Sequence, residues 1–124
     1  MRTARIAAGV FLFVFALAGA VPRAEYGTRR AAARKALGDS VLVLFGRTEA
    51  EMEDHSAATV QEPDFYYLTG WKEPGAVLLL STGSEVLFLP KHDAAHEVYT
   101  GVRAAASDPD ALAVTGFSDV LAIP

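Results

Sequence analysis

The chain contains no cysteine, and that absence removes disulfides, thiolate zinc sites and cysteine nucleophiles together. Lipid attachment through an N-terminal cysteine goes with them. A basic surplus is also missing: 11 Lys and Arg stand against 15 Asp and Glu, for a formal net charge of −4. General nucleic-acid or anionic-membrane binding rests on a basic field, which an acidic chain does not offer. The glycines are scattered rather than set out as GxGxxG or a phosphate loop, which argues against a nucleotide-binding fold. Ser40, Ser56 and Ser81 lack a Gly-x-Ser-x-Gly setting, so a serine-hydrolase assignment has no support. The N-terminal apolar run, residues 6–17, is about a dozen residues long, short of the roughly 20 that a membrane-spanning helix needs.

What that short run does fit is a signal peptide. Arg2 and Arg5 give a positive beginning, Val10 to Phe15 an apolar centre, and Ala18-Gly19-Ala20 the small residues of a cleavage site. Cleavage is expected after Ala20, leaving residues 21–124 as one exported domain, periplasmic or extracellular and free of the membrane; an uncleaved N-terminal anchor is the alternative. Loss of Arg2 and Arg5 moves the formal charge from −4 to −6. Without disulfides such a domain depends on core burial alone.

Along the mature segment, residues 25–37 have helix-forming composition, with Thr28 as a possible cap and Gly38 at the C-terminal end. The basic residues Arg29, Arg30, Arg34 and Lys35 are expected on a solvated helix face. Residues 41–45 (Val-Leu-Val-Leu-Phe) read as a strand buried on both faces. Residues 47–60 are acid-rich and aperiodic, a long loop with room for one helical turn. Residues 61–80 carry the densest pattern and read as strand (64–69), tight turn, strand (76–80). A further strand is expected at 86–89, in a hairpin across Ser81-Thr82-Gly83-Ser84. Short helices are expected at 92–99 and 109–112, and a last strand at 113–117. Interleaved strands and helices make the fold class α/β, a mixed β-sheet flanked by helices.

Few residues suggest chemistry. On a helix His92 and His96 would share a face with Glu97 beside them, the start of a metal site; the third ligand is missing, and two surface histidines are the simpler expectation. Asp54-His55 has no nucleophile nearby. Phe65, Tyr66, Tyr67 and Trp71 suggest a base-stacking platform, but in an acidic domain they are expected in the core and at an interface. From these residues alone the chain is an exported α/β domain without a complete active site: no catalytic residue and no metal ligand set.

Several blocks, in order, carry a resemblance. Arg29-Arg30 followed by Leu37, the strand at 41–45, Asp64-Phe65-Tyr66-Tyr67-Leu68-Thr69-Gly70, Glu73-Pro74-Gly75-Ala76-Val77, Val86-Leu87-Phe88-Leu89-Pro90 and Glu97-Val98-Tyr99-Thr100-Gly101-x-Arg103 together resemble the N-terminal domain of Xaa-Pro aminopeptidases (aminopeptidase P), within the creatinase/prolidase-like superfamily, a domain with a ribonuclease H-like motif. The chain departs from that pattern at Val60-Gln61-Glu62-Pro63, where the family commonly has Arg-Gln-Asn/Asp-Ser, and at Tyr99, where Trp is usual.

The resemblance implies a non-catalytic part of a metallopeptidase that removes an N-terminal residue preceding proline. The family's two divalent metals, often manganese, are held by Asp, His and Glu of a C-terminal pita-bread domain whose motifs do not occur in these 124 residues. It implies partners as well: a homo-oligomer or the parent's catalytic domain, and a peptide with proline second. Asp54 and Tyr99 match family residues that face the active-site mouth of a neighbouring subunit, which makes them the expected substrate-edge residues. Two other assignments stay open, a free-standing peptide-binding or oligomerisation module and a fragment of a creatinase- or prolidase-type hydrolase.

Overall fold

The computed structural model describes residues 19–53 and 61–124. The expected signal peptide therefore lies almost wholly outside the described residues, as do Asp54, His55 and Ser56. Among the described residues no helix is long and apolar enough to cross a membrane.

Helix α1 (Arg23–Leu37) is followed by strand β1 (Leu42–Phe45), helix α2 (Glu49–Glu53) and helix α3 (Pro63–Thr69). Strands β2 (Val77–Ser81) and β3 (Ser84–Leu89) form the expected hairpin, and helices α4 (Ala94–Thr100) and α5 (Ala111–Thr115) lead to strand β4 (Asp119–Ala122). The sheet order is β1-β2-β3-β4. β1–β2 and β2–β3 pair antiparallel, while β3–β4 pair parallel through the crossover that carries α4 and α5. The mixed α/β architecture is the expected one.

Residues that pair across strands share a face. Leu78, Leu80, Leu87 and Leu89 are fully buried on one side of the sheet, where Phe65 and Leu68 of α3 and Phe117 complete the core. Ala33 and Leu37 of α1 pack on the same cluster. The register puts Val43, Phe45, Val77, Leu79, Val86, Phe88 and Leu121 together on the other side, and that side lies open, with Phe45 69% exposed. β1 is consequently not buried on both faces as expected: it is an edge strand, and helices cover only its Leu42 and Leu44 side.

The segment 64–69 is a helix, not a strand. Its aromatics favour strands, but its two ends dictate otherwise. Pro63 occupies the first helical turn, where its missing N–H costs nothing. The Glu62 carboxylate accepts the Phe65 N–H at 2.6 Å, and Gly70 closes the helix at φ 64° with its N–H on the Tyr66 carbonyl. Phe65, Leu68 and Thr69 then fall on one buried stripe.

The C-terminal expectation is corrected in the same way. Residues 113–115 belong to α5, whose Ala111 and Thr115 are buried one turn apart and which Gly116 ends in the left-handed region. The last strand comes later, at Asp119–Ala122, where it meets β3. Nor does Thr28 cap α1; it lies inside the helix, and its hydroxyl donates to the Ala24 carbonyl at 3.1 Å.

The basic face of α1 is not uniformly solvated. Arg30 is 1% exposed, and its guanidinium reaches three other parts of the fold. Nε donates to Glu85 Oε2 of β3 at 3.0 Å, Nη1 to the Leu68 carbonyl of α3 at 3.2 Å, and Nη2 to the Gly116 carbonyl at 2.9 Å. The ring of Phe117 lies beneath it, 3.8 Å from its centroid to Cζ. Arg34 adds bonds to the carbonyls of Ser81 and Thr82 at the hairpin turn, 2.9 and 2.8 Å.

Two stability predictions follow from these contacts. Arg30→Met leaves Glu85 with only the longer contact to Arg34 at 4.0 Å and is expected to cost about 3 kcal/mol in denaturant unfolding, whereas Arg30→Met/Glu85→Leu costs less because the weakly paired carboxylate is removed as well. Gly70→Ala is expected to cost at least ~2 kcal/mol, because Ala resists the left-handed conformation. Its added Cβ would also lie 2.5 Å from Tyr26 Cε2. A thermal melt that leaves the Gly70→Ala midpoint unchanged would contradict this.

Candidate functional site

At the end of the sheet where β1 and β3 finish, a cleft of about 320 Å³ opens among α2, the Glu73-Pro74-Gly75 turn, Pro90, α4 and Arg103. Gln61, buried beside it, holds the underlying loops together. Its Oε1 accepts the N–H groups of Arg47 and Glu62 at 2.6 and 2.9 Å, and its Nε2 donates to the Glu73 carbonyl at 3.1 Å. Every polar atom of that amide is thus used, as burial requires.

The cleft wall is a lattice of paired charges. Glu49 of α2 accepts from Arg103 Nη2 at 2.8 Å and meets His96 Nε2 at 2.6 Å. These partners, Arg103 foremost, hold its carboxyl below the usual 4.5. His92 sits between two carboxylates, Nδ1 at 2.6 Å from Glu97 Oε1 and Nε2 at 2.8 Å from Asp108 Oδ1. Its pKa is raised from 6.5 to about 9, by the bond to Asp108 first and that to Glu97 second. Glu73 goes the other way from Glu49: its half-buried carboxyl is pushed up by desolvation, against the Ala104 N–H that donates to it at 3.3 Å.

The two histidines do not share a helix face as expected. Only His96 lies on α4; His92 precedes it, and Asp93 between them caps the helix by accepting the N–H groups of Ala95 and His96. Each histidine is engaged with carboxylates, and among the described residues no group of three or more His, Asp or Glu is placed to hold a metal ion. Tyr99 is on α4 and is 88% exposed, with Val98 and Val102 exposed nearby in the chain. Asp54 lies outside the described residues. Of the stacking candidates, Phe65 is core, Trp71 is packed against the core, and Tyr67 is exposed beneath the Arg29 guanidinium at 4.4 Å.

Glu49 and Asp108 carry no signal in the sequence, and the bonds that give Glu49, Glu73 and Asp108 their places join residues well apart along the chain. The Glu49–Arg103 pair spans 54 residues and the Ala104–Glu73 bond 31. Glu73 and Arg103 gave a signal through their places in the family blocks, and His92, His96 and Glu97 through their spacing. Chemically, the wall can orient and present groups; among the described residues it assembles no nucleophile with a base.

The depressed Glu49 carboxyl has a pH consequence. A folded-state value below the unfolded one contributes stability above about pH 4.5 that is lost as pH falls through the lower value. Glu49→Gln is therefore expected to flatten the acid limb of a plot of unfolding free energy against pH and to lower the neutral plateau, the two curves converging as pH falls. Identical acid limbs for the two proteins would refute the assignment.

Residues 26–124 match the family model described as the aminopeptidase P, N-terminal domain. Among solved structures, the low-pH form of Escherichia coli aminopeptidase P is 30% identical with a TM-score of 0.66, over 84% of this chain and 25% of that one. The zinc-substituted E. coli enzyme in complex with product is 28% identical with a TM-score of 0.68, over 84% and 25% of the two chains. Pseudomonas aeruginosa aminopeptidase PepP is 29% identical with a TM-score of 0.68, over 82% and 24%. The chain thus spans about a quarter of the length of the enzymes it matches. No match is found among curated protein sequences. With the sequence blocks and the sheet agreeing over the same residues, the chain belongs to the family of aminopeptidase P N-terminal domains.

Proposed function

We propose that this chain is the N-terminal, non-catalytic part of an exported Xaa-Pro aminopeptidase, and that it supplies oligomer contacts and one edge of the active-site mouth. The observation that carries this is the C-terminal end of α4, where Val98 and Tyr99 are exposed, with Val102 exposed just beyond the helix. A contiguous apolar patch of this kind marks a contact surface. Tyrosine suits a mouth, since its ring packs on a substrate while its hydroxyl stays wet. Asp54 joins it at the same edge in this proposal, and the substrate is a peptide with proline at the second position.

A pair of divalent metals, manganese in this proposal, belongs to the C-terminal catalytic domain of such an enzyme. The described residues do not fit a metal centre: their carboxylates are already engaged by His92, His96 and Arg103, and no converging set remains. Export rests on the Arg2/Arg5 start, the short apolar run and Ala18-Gly19-Ala20.

Two measurements test this. The segment 21–124, assayed with a Xaa-Pro peptide and Mn²⁺, is expected to give no turnover; metal-dependent hydrolysis would overturn the non-catalytic assignment. In a chimera that carries this domain in place of the matching part of the E. coli enzyme, Tyr99→Ala is expected to raise KM by about fivefold, the equivalent of roughly 1 kcal/mol of aromatic contact. An active chimera whose KM and kcat ignore that change would remove Tyr99 from the mouth.

A further inference from the structure

α4 has no buried residue, so core packing does not fix it. Side-chain bonds do, and two of them come from histidine. The His96–Glu49 bond uses one ring nitrogen, and a neutral imidazole carrying its proton there still donates it. His92 differs, because both of its nitrogens face carboxylates. A neutral ring has one N–H and one lone pair, so it satisfies one carboxylate and turns a lone pair on the other. Only the imidazolium fits both.

The two carboxylates belong to different parts of the fold. Glu97 is on α4. Asp108 is in the turn after Ala105, whose side chain is buried. That turn is locked by the Ala105 N–H on Asp108 Oδ2 at 2.8 Å and by the Asp108 N–H on the Ala105 carbonyl at 3.1 Å. His92 therefore connects a helix without a buried anchor to a turn that has one.

We propose that His92 is a proton-dependent strap: with its ring charged it ties α4 to the anchored turn at Asp108, and on losing a proton it lets go of one carboxylate and loosens α4, with Tyr99, leaving the His96–Glu49 bond as the helix's other histidine tie. Asp108 from the turn and Glu97 from α4 face the ring directly. The rest of the cleft presents Glu49, Glu73 and Asp93 against Lys91, Arg103 and His96, with Glu49 already shared by Arg103 and His96. The direct neighbours being acids, the ring stays charged through neutrality, in line with its value of about 9. Since the folded-state value is raised from 6.5, the stabilisation is complete below that pH and is lost as pH climbs through about 9. The consequence for substrate rests on the role proposed for Tyr99; the strap itself does not.

Hydrogen–deuterium exchange of the whole chain from about pH 6 to about pH 10, with rates corrected for intrinsic exchange, separates the two. Protection of the α4 amides is expected to fall by up to about tenfold per pH unit between about pH 6.5 and about 9 and to level off above that, while β2 and β3 stay protected. His92→Gln is expected to remove the pH dependence. His92→Arg, always charged and able to serve both carboxylates, is expected to keep α4 protected throughout. Flat α4 protection in the wild type, or a His92→Arg protein that loses protection as the wild type does, would overturn the strap. Should His92→Gln fail to fold, the arginine variant decides. Failure of the Tyr99→Ala test in the chimera would leave these exchange results untouched.

Discussion

The arrangement of the core depends on one guanidinium. Arg30 enters it from α1 and binds the end of α3, the start of β3 and the turn after α5, with an aromatic ring under its plane. These elements come from positions 38 to 86 residues away along the chain, and no one apolar side chain could fix them in angle as well as in distance. A planar fork of donors does both. Burying such a charge is costly, and what offsets the cost is that acceptors surround it: a carboxylate on one side and helix-terminal carbonyls on the others. Those carbonyls would otherwise need water or caps of their own. The arginine thus completes two helix ends while it fixes α1 against α3, β3 and the turn after α5.

Local signals were legible in the sequence and distant ones were not. The hairpin between β2 and β3 and the glycine that ends α1 are written in adjacent residues, and they appear where expected. The segment at 64–69 went wrong because intrinsic preference and end signals disagree there. Phe, Tyr and Tyr in sequence favour a strand, while Glu62-Pro63 in front and Gly70 behind demand a helix, and the caps prevailed. The segment 41–45 reads as interior because its five apolar residues are the same whether or not a second layer covers them; edge position is a property of the sheet, not of the strand. The role of Arg30 was missed for a similar reason, since a basic helix face looks solvated until its acceptors, supplied by other elements, are in place. The family blocks marked where the cleft would form, yet the charge pairs that build its wall join residues up to 54 positions apart.

The domain divides into a part held by burial and a part held by charge. β2, β3 and α3 carry the fully buried leucines and phenylalanine, so their opening approaches global unfolding. α4 and α2 bury nothing and stay in place through carboxylates, an arginine and two histidines. Elements of the second kind open at lower free energy. That division suits a domain whose interior serves as a scaffold and whose rim meets something else, since the rim can adjust without disturbing the leucine layer beneath it.

The open side of the sheet has a consequence for the cell rather than for the site. Seven apolar side chains on neighbouring strands, bordered by an unpaired edge at β1, form the kind of surface that recruits chaperones and invites strand-to-strand association. Copies of this domain with that side bare would be sorted by quality control according to their stickiness, not their stability. The soluble yield would then depend on how soon a covering layer arrives, so two variants of equal unfolding free energy can differ widely in abundance. Polar replacements at Val43 and Phe45, distant from the leucine core, would act on that fate alone.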